Sequence, residues 1–274
     1  MAKTYIKIYQ QKLSVFETPY KEKIIETSFG KTNVIITNGI EKPPLVVLHG
    51  LNSAAPFALD TTLFLSEKYQ IFAIDIIGQP NKSDFVRLNK KNDSYGKWLL
   101  EIIDNLQIEN ITFCGISFGA FPVLKSLLID DKKIKEVFLI SPAAFIHGNL
   151  WQTIFKFLIP LKKFQKTQKY FYLKNCLSSI YDELDKLTLD YQKEVFTNFK
   201  MDFSLTPNFK KSALKKIKTP VTIIASKNDF FVPTKKLKNK CDNLLNLKKF
   251  ISLEDSKHIA SKTVLKDVFI KLIS

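Results

Sequence analysis

The chain has 274 residues, of which 45% are hydrophobic and 25% charged. That balance excludes a disordered, collagen-like or disulfide-scaffold protein, and the length suffices for one sizeable core without metal or bridge. The net charge is +16, yet Arg87 is the only arginine among 42 basic residues, and the lysines are spread along the chain. Base and phosphate recognition favours the planar guanidinium fork, so a specific nucleic-acid partner is not expected. The lysine excess leaves room for weak attraction to anionic membrane surfaces. Cys114, Cys176 and Cys241 are odd in number and widely spaced. They read as reduced thiols, and with a charged N-terminus that lacks a signal-peptide pattern they imply a cytoplasmic protein.

In chain order, residues 4–16 read as a helix, and Lys23–Phe29 and Lys31–Thr37 as two strands around a turn at Gly30. Continuous apolar runs follow at Leu45–Leu48, Ile71–Ile74, Ile111–Cys114, Val137–Ile140 and Val221–Ile224. Runs of this kind suit strands buried on both faces. Between them lie helical patterns at Phe57–Tyr69, Asp93–Leu106 and Phe118–Ile129. The alternation predicts an α/β fold with a mostly parallel sheet flanked by helices. It breaks from about Phe145 to Thr219, where three helical stretches are predicted at Leu150–Leu161, Thr167–Leu177 and Asp182–Phe199. A helix at 233–243, a strand at 248–253 and a helix at 260–272 complete the pattern. We therefore expect a core of residues 1–144 and 216–274, with 145–215 inserted as a helical cap over the strand ends where ligands bind such sheets.

The chemistry centres on Gly115-Ile116-Ser117-Phe118-Gly119, a Gly-x-Ser-x-Gly sequence directly between a strand and a helical pattern. A sharp turn there would lift the Ser117 hydroxyl above the sheet at a helix N-terminus, where a developing oxyanion is favoured. A serine needs a base. His258, after the final predicted strand, lies at the same sheet edge and is the candidate. Asp229, after the Val221–Ile224 strand, is the carboxylate that would orient it, giving the chain order Ser, Asp, His. Glu254 and Asp255 sit too near His258 in sequence to fold back onto it. His49-Gly50-Leu51-Asn52 follows the Leu45–Leu48 strand. The backbone N–H groups of Leu51 and Phe118 would form an oxyanion hole, with Asn52 an alternative donor. His49 itself reads as a buried structural residue, and Asp75–Ser83 as an ordered loop beside the site. Asn52, His147, Trp151 and Phe155 are candidate substrate contacts, and Phe157 and Leu158 further candidates to line an acyl pocket.

His49-Gly50, Asp75-x-x-Gly78, Gly115-x-Ser117-x-Gly119, Asp229 and His258, in this order over roughly residues 44–262, resemble the α/β-hydrolase superfamily. The Asp75–Ser83 loop, Trp98-Leu99-Leu100 and Leu139-Ile140-Ser141-Pro142-Ala143 are similar to bacterial carboxylesterases with a helical cap. The resemblance implies a serine hydrolase of carboxylic esters that uses no metal or cofactor. Its partner would be a small-molecule ester with a hydrophobic acyl or alcohol group. The same triad also serves thioesters, lactones, amides, C–C bonds and acyl transfer, and the fold can be kept as a ligand receptor. The chain departs from the family in having Lys257 where glycine usually precedes the histidine, and in having no glycine in Ala225-Ser226-Lys227-Asn228. Oligomeric state is not legible in the sequence.

Overall fold

The computed structural model describes residues 4–244 and 246–273. Eight strands form one sheet: β1 (Tyr20–Thr27), β2 (Gly30–Thr37), β3 (Pro44–Leu48), β4 (Gln70–Ile74), β5 (Ile111–Ile116), β6 (Ile134–Ile140), β7 (Val221–Ser226) and β8 (Leu247–Leu253). Their spatial order is β1-β2-β4-β3-β5-β6-β7-β8. The hairpin β1–β2 joins antiparallel to β4, and every pairing from β4 to β8 is parallel. The chain runs from β3 to β4 on one side, then crosses to β5 on the other. That reversal opens a crevice at the carboxyl ends of β3 and β5.

The apolar runs are continuous because successive strand residues point to opposite faces, and both faces are covered. Val46, Leu48, Phe113 and Leu139 pack on one side with Trp98 and Leu99 of α3 (Ser94–Leu106) and Phe121 of α4 (Ala120–Leu127). Leu45, Val47, Cys114 and Ile140 pack on the other with Tyr9 of α1 (Thr4–Ser14), Leu59 of α2 (Ala55–Thr62) and Phe269 of α11 (Lys262–Ile273). The expected Phe57–Tyr69 helix is shorter than its pattern: α2 ends at Thr62 and a 3₁₀ turn occupies Leu63–Glu67.

Between β6 and β7 the chain forms α5 (Leu150–Gln152), a π-helical segment (Thr153–Leu158), α6 (Ile159–Thr167), α7 (Tyr170–Ser178), α8 (Lys186–Asn198) and α9 (Lys211–Leu214). The π turn immediately precedes Pro160, which has no N–H to give and whose ring crowds the carbonyl four residues back. Helix α8 starts at Lys186 rather than at Asp182, because Asp185 takes the N-cap and accepts from Thr188 N at 3.0 Å. α10 (Thr234–Cys241) lies between β7 and β8. Lys12, although buried, bridges Asp60 of α2 at 2.8 Å and Asp185 at 3.0 Å, tying α1 to the inserted helices. Among the described residues no helix is long and apolar enough to cross a membrane.

Candidate active site

Ser117 stands directly after β5 with a φ of +51°, in the left-handed region that L-residues rarely occupy. The turn closes because its two flanking glycines lack side chains. A Cβ on Gly115 would lie 2.9 Å from the Ala120 backbone, and one on Gly119 would lie 2.3 Å from the Leu48 carbonyl oxygen of β3. The neighbouring strand thus presses against the turn and holds Ser117 at the crevice. A Cβ on Gly50 would meet that of Ser117 at 3.5 Å, so the loop after β3 runs alongside the hydroxyl.

His258 and Asp229 reach the same point from the far side of the sheet. His258 Nε2 is 2.8 Å from Ser117 Oγ, and its Nδ1 is 2.6 Å from Asp229 Oδ2. A carboxylate only accepts, so Nδ1 donates to Asp229 and Nε2 is left to accept from the Ser117 hydroxyl. The other Asp229 oxygen, Oδ1, accepts from Phe231 N at 2.8 Å and Val232 N at 2.9 Å, which fixes the carboxylate plane. Histidine and aspartate are both buried. Such a relay can draw a proton from Oγ as a bond forms to carbon.

The two departures from the family pattern have local explanations. Neither the 225–228 loop nor Lys257 takes a positive φ, so neither position needs glycine. Lys227 N and Asn228 N donate to Leu253 O and Ser256 O, stitching the Asp229 loop to the His258 loop. The His258 loop is clipped from the other side by the segment Ile180–Asp182. Asp182 accepts from Lys257 N at 2.8 Å and Ser261 N at 3.3 Å. Ile259 N donates to Ile180 O, and Asp182 N donates to Ile259 O. Lys257 Nζ also reaches Tyr181 O at 3.2 Å.

The loop after β3 is held by four buried side chains, His49, Asp75, Gln79 and Gln192. His49 donates from Nδ1 to Gly50 O at 2.7 Å and accepts at Nε2 from Ile76 N at 2.9 Å. Burial lowers its pKa to about 4, so the ring is neutral and structural. Asp75 accepts from Ala55 N at the start of α2, from Tyr9 Oη and from Asn33 Nδ2. Burial raises its pKa to about 6 despite those hydrogen bonds. Asn52, at φ +54°, donates from its backbone N to Gln79 Oε1 at 2.9 Å, and its carbonyl accepts from Gln192 Nε2 of α8 at 3.3 Å. Its side-chain Oδ1 is buried without a partner among the described residues.

The candidate substrate contacts separate. Phe157, in the π segment, meets Phe231 edge-on at 5.4 Å, and Phe231 in turn stands 5.2 Å from the His258 ring. Trp151 and Phe155, expected beside a pocket, instead lie exposed and stack on each other at 6.2 Å. His147 is exposed and Leu158 half-exposed. The expectation for Trp151 and Phe155 rested on their apolar character within the inserted segment, which does not tell the face turned to the site from the face turned to solvent. A cleft of about 800 Å³ opens behind Asp229, lined by Asn149, Lys156, Asn228, Phe230 and Lys257 among others. Phe231, Gln192 and Asp182 escaped the sequence reading, and Gln79 was reached only as part of the Asp75–Ser83 loop. Their roles arise from contacts distant in sequence, and no local spacing marks them.

A family model described as the alpha/beta hydrolase fold matches residues 43–211. The chain belongs to that family. Among curated proteins of Bacillus subtilis (strain 168), it is 34% identical to the uncharacterized carboxylesterase nap over 139 residues, 51% of this chain and 46% of that protein. It is 28% identical to carboxylesterase YbfK over 143 residues, 52% of this chain and 48% of that one. The chain thus spans about half the length of the curated relatives it matches. Among solved structures, the Bacillus subtilis naproxen esterase (carboxylesterase NP) superposes with a TM-score of 0.83 at 21% identity, covering 98% of this chain and 97% of that one. Carboxylesterase CesB (YbfK) of the same organism superposes with 0.82 at 18% identity, covering 99% and 96%. At these identities the superpositions establish the shared fold.

Proposed function

We propose that the protein is a serine hydrolase that cleaves carboxylic esters with a hydrophobic acyl or alcohol group. The observation that carries this reading is the unbroken relay from Ser117 Oγ through His258 to Asp229, built on a strained turn of an α/β-hydrolase sheet. The carboxylesterase names of the relatives support it.

In this mechanism Ser117 Oγ bonds to the ester carbonyl carbon as its proton passes to His258 Nε2. The N–H groups of Leu51 and Phe118 hold the resulting oxyanion, a role supported by the contact of the Gly50 loop with Ser117. Asp229 stabilises the imidazolium and fixes its tautomer. The intermediate collapses, the C–O bond to the alcohol breaks, and His258 returns the proton to the leaving oxygen. Water then attacks the acyl-enzyme with His258 as base and restores Ser117. Phe231 and Phe157 beside His258 favour apolar substituents. We assign residues 145–215 as a cap over a core of 1–144 and 216–274. This division is supported by the contacts of Phe157, Asp182 and Gln192 with the three loops of the site. A cytoplasmic location is supported by three buried, unbonded cysteines.

The test is hydrolysis of p-nitrophenyl esters from acetyl to long acyl chains by the parent and by Ser117→Ala. Parent turnover that falls at least about 10⁴-fold in the variant is expected. Equal, background rates in both across the series would overturn the reading.

A further inference from the structure

The helix from Leu150 to Thr167 uses only one side for packing. Leu161 and Phe164 are buried, and Phe157 reaches Phe231. The opposite side carries large apolar groups that the fold does not use: Leu150 and Trp151 are each 67% exposed and Phe155 61%. A single exposed apolar residue is ordinary, but three within two turns, two of them stacked, form a patch. Trp151 and Phe155 are four residues apart and share a face. About two to three turns further on, the exposed residues become Lys162, Lys163 and Lys166.

Charge selects what would cover this face. From Val137 to Tyr181 the sequence has no Asp or Glu, while Lys156, Lys162, Lys163, Lys166, Lys169 and Lys174 all fall within it. All six are exposed, and among the described residues none makes an ion pair. Some lysines elsewhere do: Lys82 with Glu22, Lys90 with Asp202, Lys125 with Asp93. These six charges are therefore offset neither by a carboxylate within the segment nor, among the described residues, by an ion pair outside it. A site for fixed phosphates, as on a nucleic acid or phosphopeptide, favours arginine forks. The chain's one arginine, Arg87, lies elsewhere, against Phe85 and Phe199. Flexible ammonium groups beside an exposed tryptophan and phenylalanine suit a fluid layer of phosphates above an apolar interior.

We propose that this outer face docks on an anionic lipid bilayer, with Trp151 and Phe155 entering the headgroup region and Lys162, Lys163 and Lys166 facing its phosphates. Docking this way would set the helix that carries Phe157 between the bilayer and His258. The inference goes beyond ester hydrolysis, and its test reads binding without turnover.

The chain has two tryptophans, and Trp98 is buried, so Trp151 reports its own surroundings. Parent protein is mixed at low salt with vesicles of phosphatidylglycerol in phosphatidylcholine, or of phosphatidylcholine alone. We expect cosedimentation and a blue shift of Trp151 emission with the anionic vesicles only, and reversal of both at about 0.5 M salt. Trp151→Ala/Phe155→Ala and, separately, Lys162→Glu/Lys163→Glu/Lys166→Glu should each lower the bound fraction at least tenfold, with far-ultraviolet circular dichroism confirming the fold. Should one variant misfold, the other and the parent's emission decide. Absence of vesicle binding would overturn the proposal, as would binding without an emission shift or binding that both folded variants retain. A lipid-free dimer that Trp151→Ala/Phe155→Ala dissolves would show that a second copy covers the face instead.

Discussion

Ser117 and His258 meet at 2.8 Å, but the two loops that deliver them are built differently. The serine turn is a product of its own sequence and one neighbour. Five consecutive residues make it, and the Leu48 carbonyl of the adjacent strand presses on Gly119. The histidine loop has no such frame. It is fastened to the Asp229 loop on one side and to Ile180–Asp182 of the inserted helices on the other. Ser117 is thus held by the sheet, whereas His258 depends also on the inserted segment. Changes in the helices that cover the site should therefore reach the chemistry through His258 rather than through Ser117.

Substitutions on the histidine side test this contrast. The largest effect is expected from Asp229→Asn. The Asn oxygen can still accept from Phe231 N and Val232 N, so the loop should persist while the histidine loses its tautomer. Ester turnover should fall on the order of 10⁴-fold with little change in thermal midpoint. A loss under tenfold would mean that another group orients His258. A smaller effect is expected from Asp182→Ala, which removes both bonds that bracket the loop at Lys257 and Ser261. Loosening the base by a fraction of an ångström should cost about 10- to 100-fold in kcat with KM nearly unchanged. Asp182→Asn, which keeps one accepting oxygen, should recover part of it. Full kcat in Asp182→Ala would erase the distinction between the two loops.

The same contrast explains what was legible in the sequence. The strand runs were readable because burial on both faces leaves an uninterrupted apolar word, as at Leu45–Leu48 and Ile111–Cys114. Ser117 was readable because its constraints lie within two residues. Asp229 and His258 could be nominated from chain order and position at strand ends. Asp182 could not, since an aspartate ahead of a helical pattern reads as a cap, and Asp185 holds that place. Nor could the inner face of the Leu150–Thr167 helix be assigned. The sequence marks Trp151, Phe155 and Phe157 alike as candidates to line a pocket, whereas Phe157 reaches Phe231 and the other two lie exposed.

The smallest effect on rate is expected on the serine side, in the loop after β3, where stability rather than turnover should respond. His49 and Asp75 both anchor this loop and titrate in opposite senses. His49 has its folded pKa lowered to about 4 by burial, so the unfolded chain binds the extra proton between about pH 4 and pH 6.5. Its contribution is present above that window and is lost as pH falls through it. Asp75 has its folded pKa raised to about 6 by burial, from an ordinary 3.8, so here the folded chain binds the extra proton. Its contribution is present at low pH and is lost as pH rises from about 4 to about 6. Each amounts to at most about 3 kcal/mol, and in the parent the two largely offset. Urea unfolding across this range should show Asp75→Asn gaining on the parent as pH rises. His49→Gln should gain on it as pH falls. Curves that run parallel to the parent in both variants would mean that neither buried group titrates there, and that the loop is held by Gln79 and Gln192 with no electrostatic cost from its anchors.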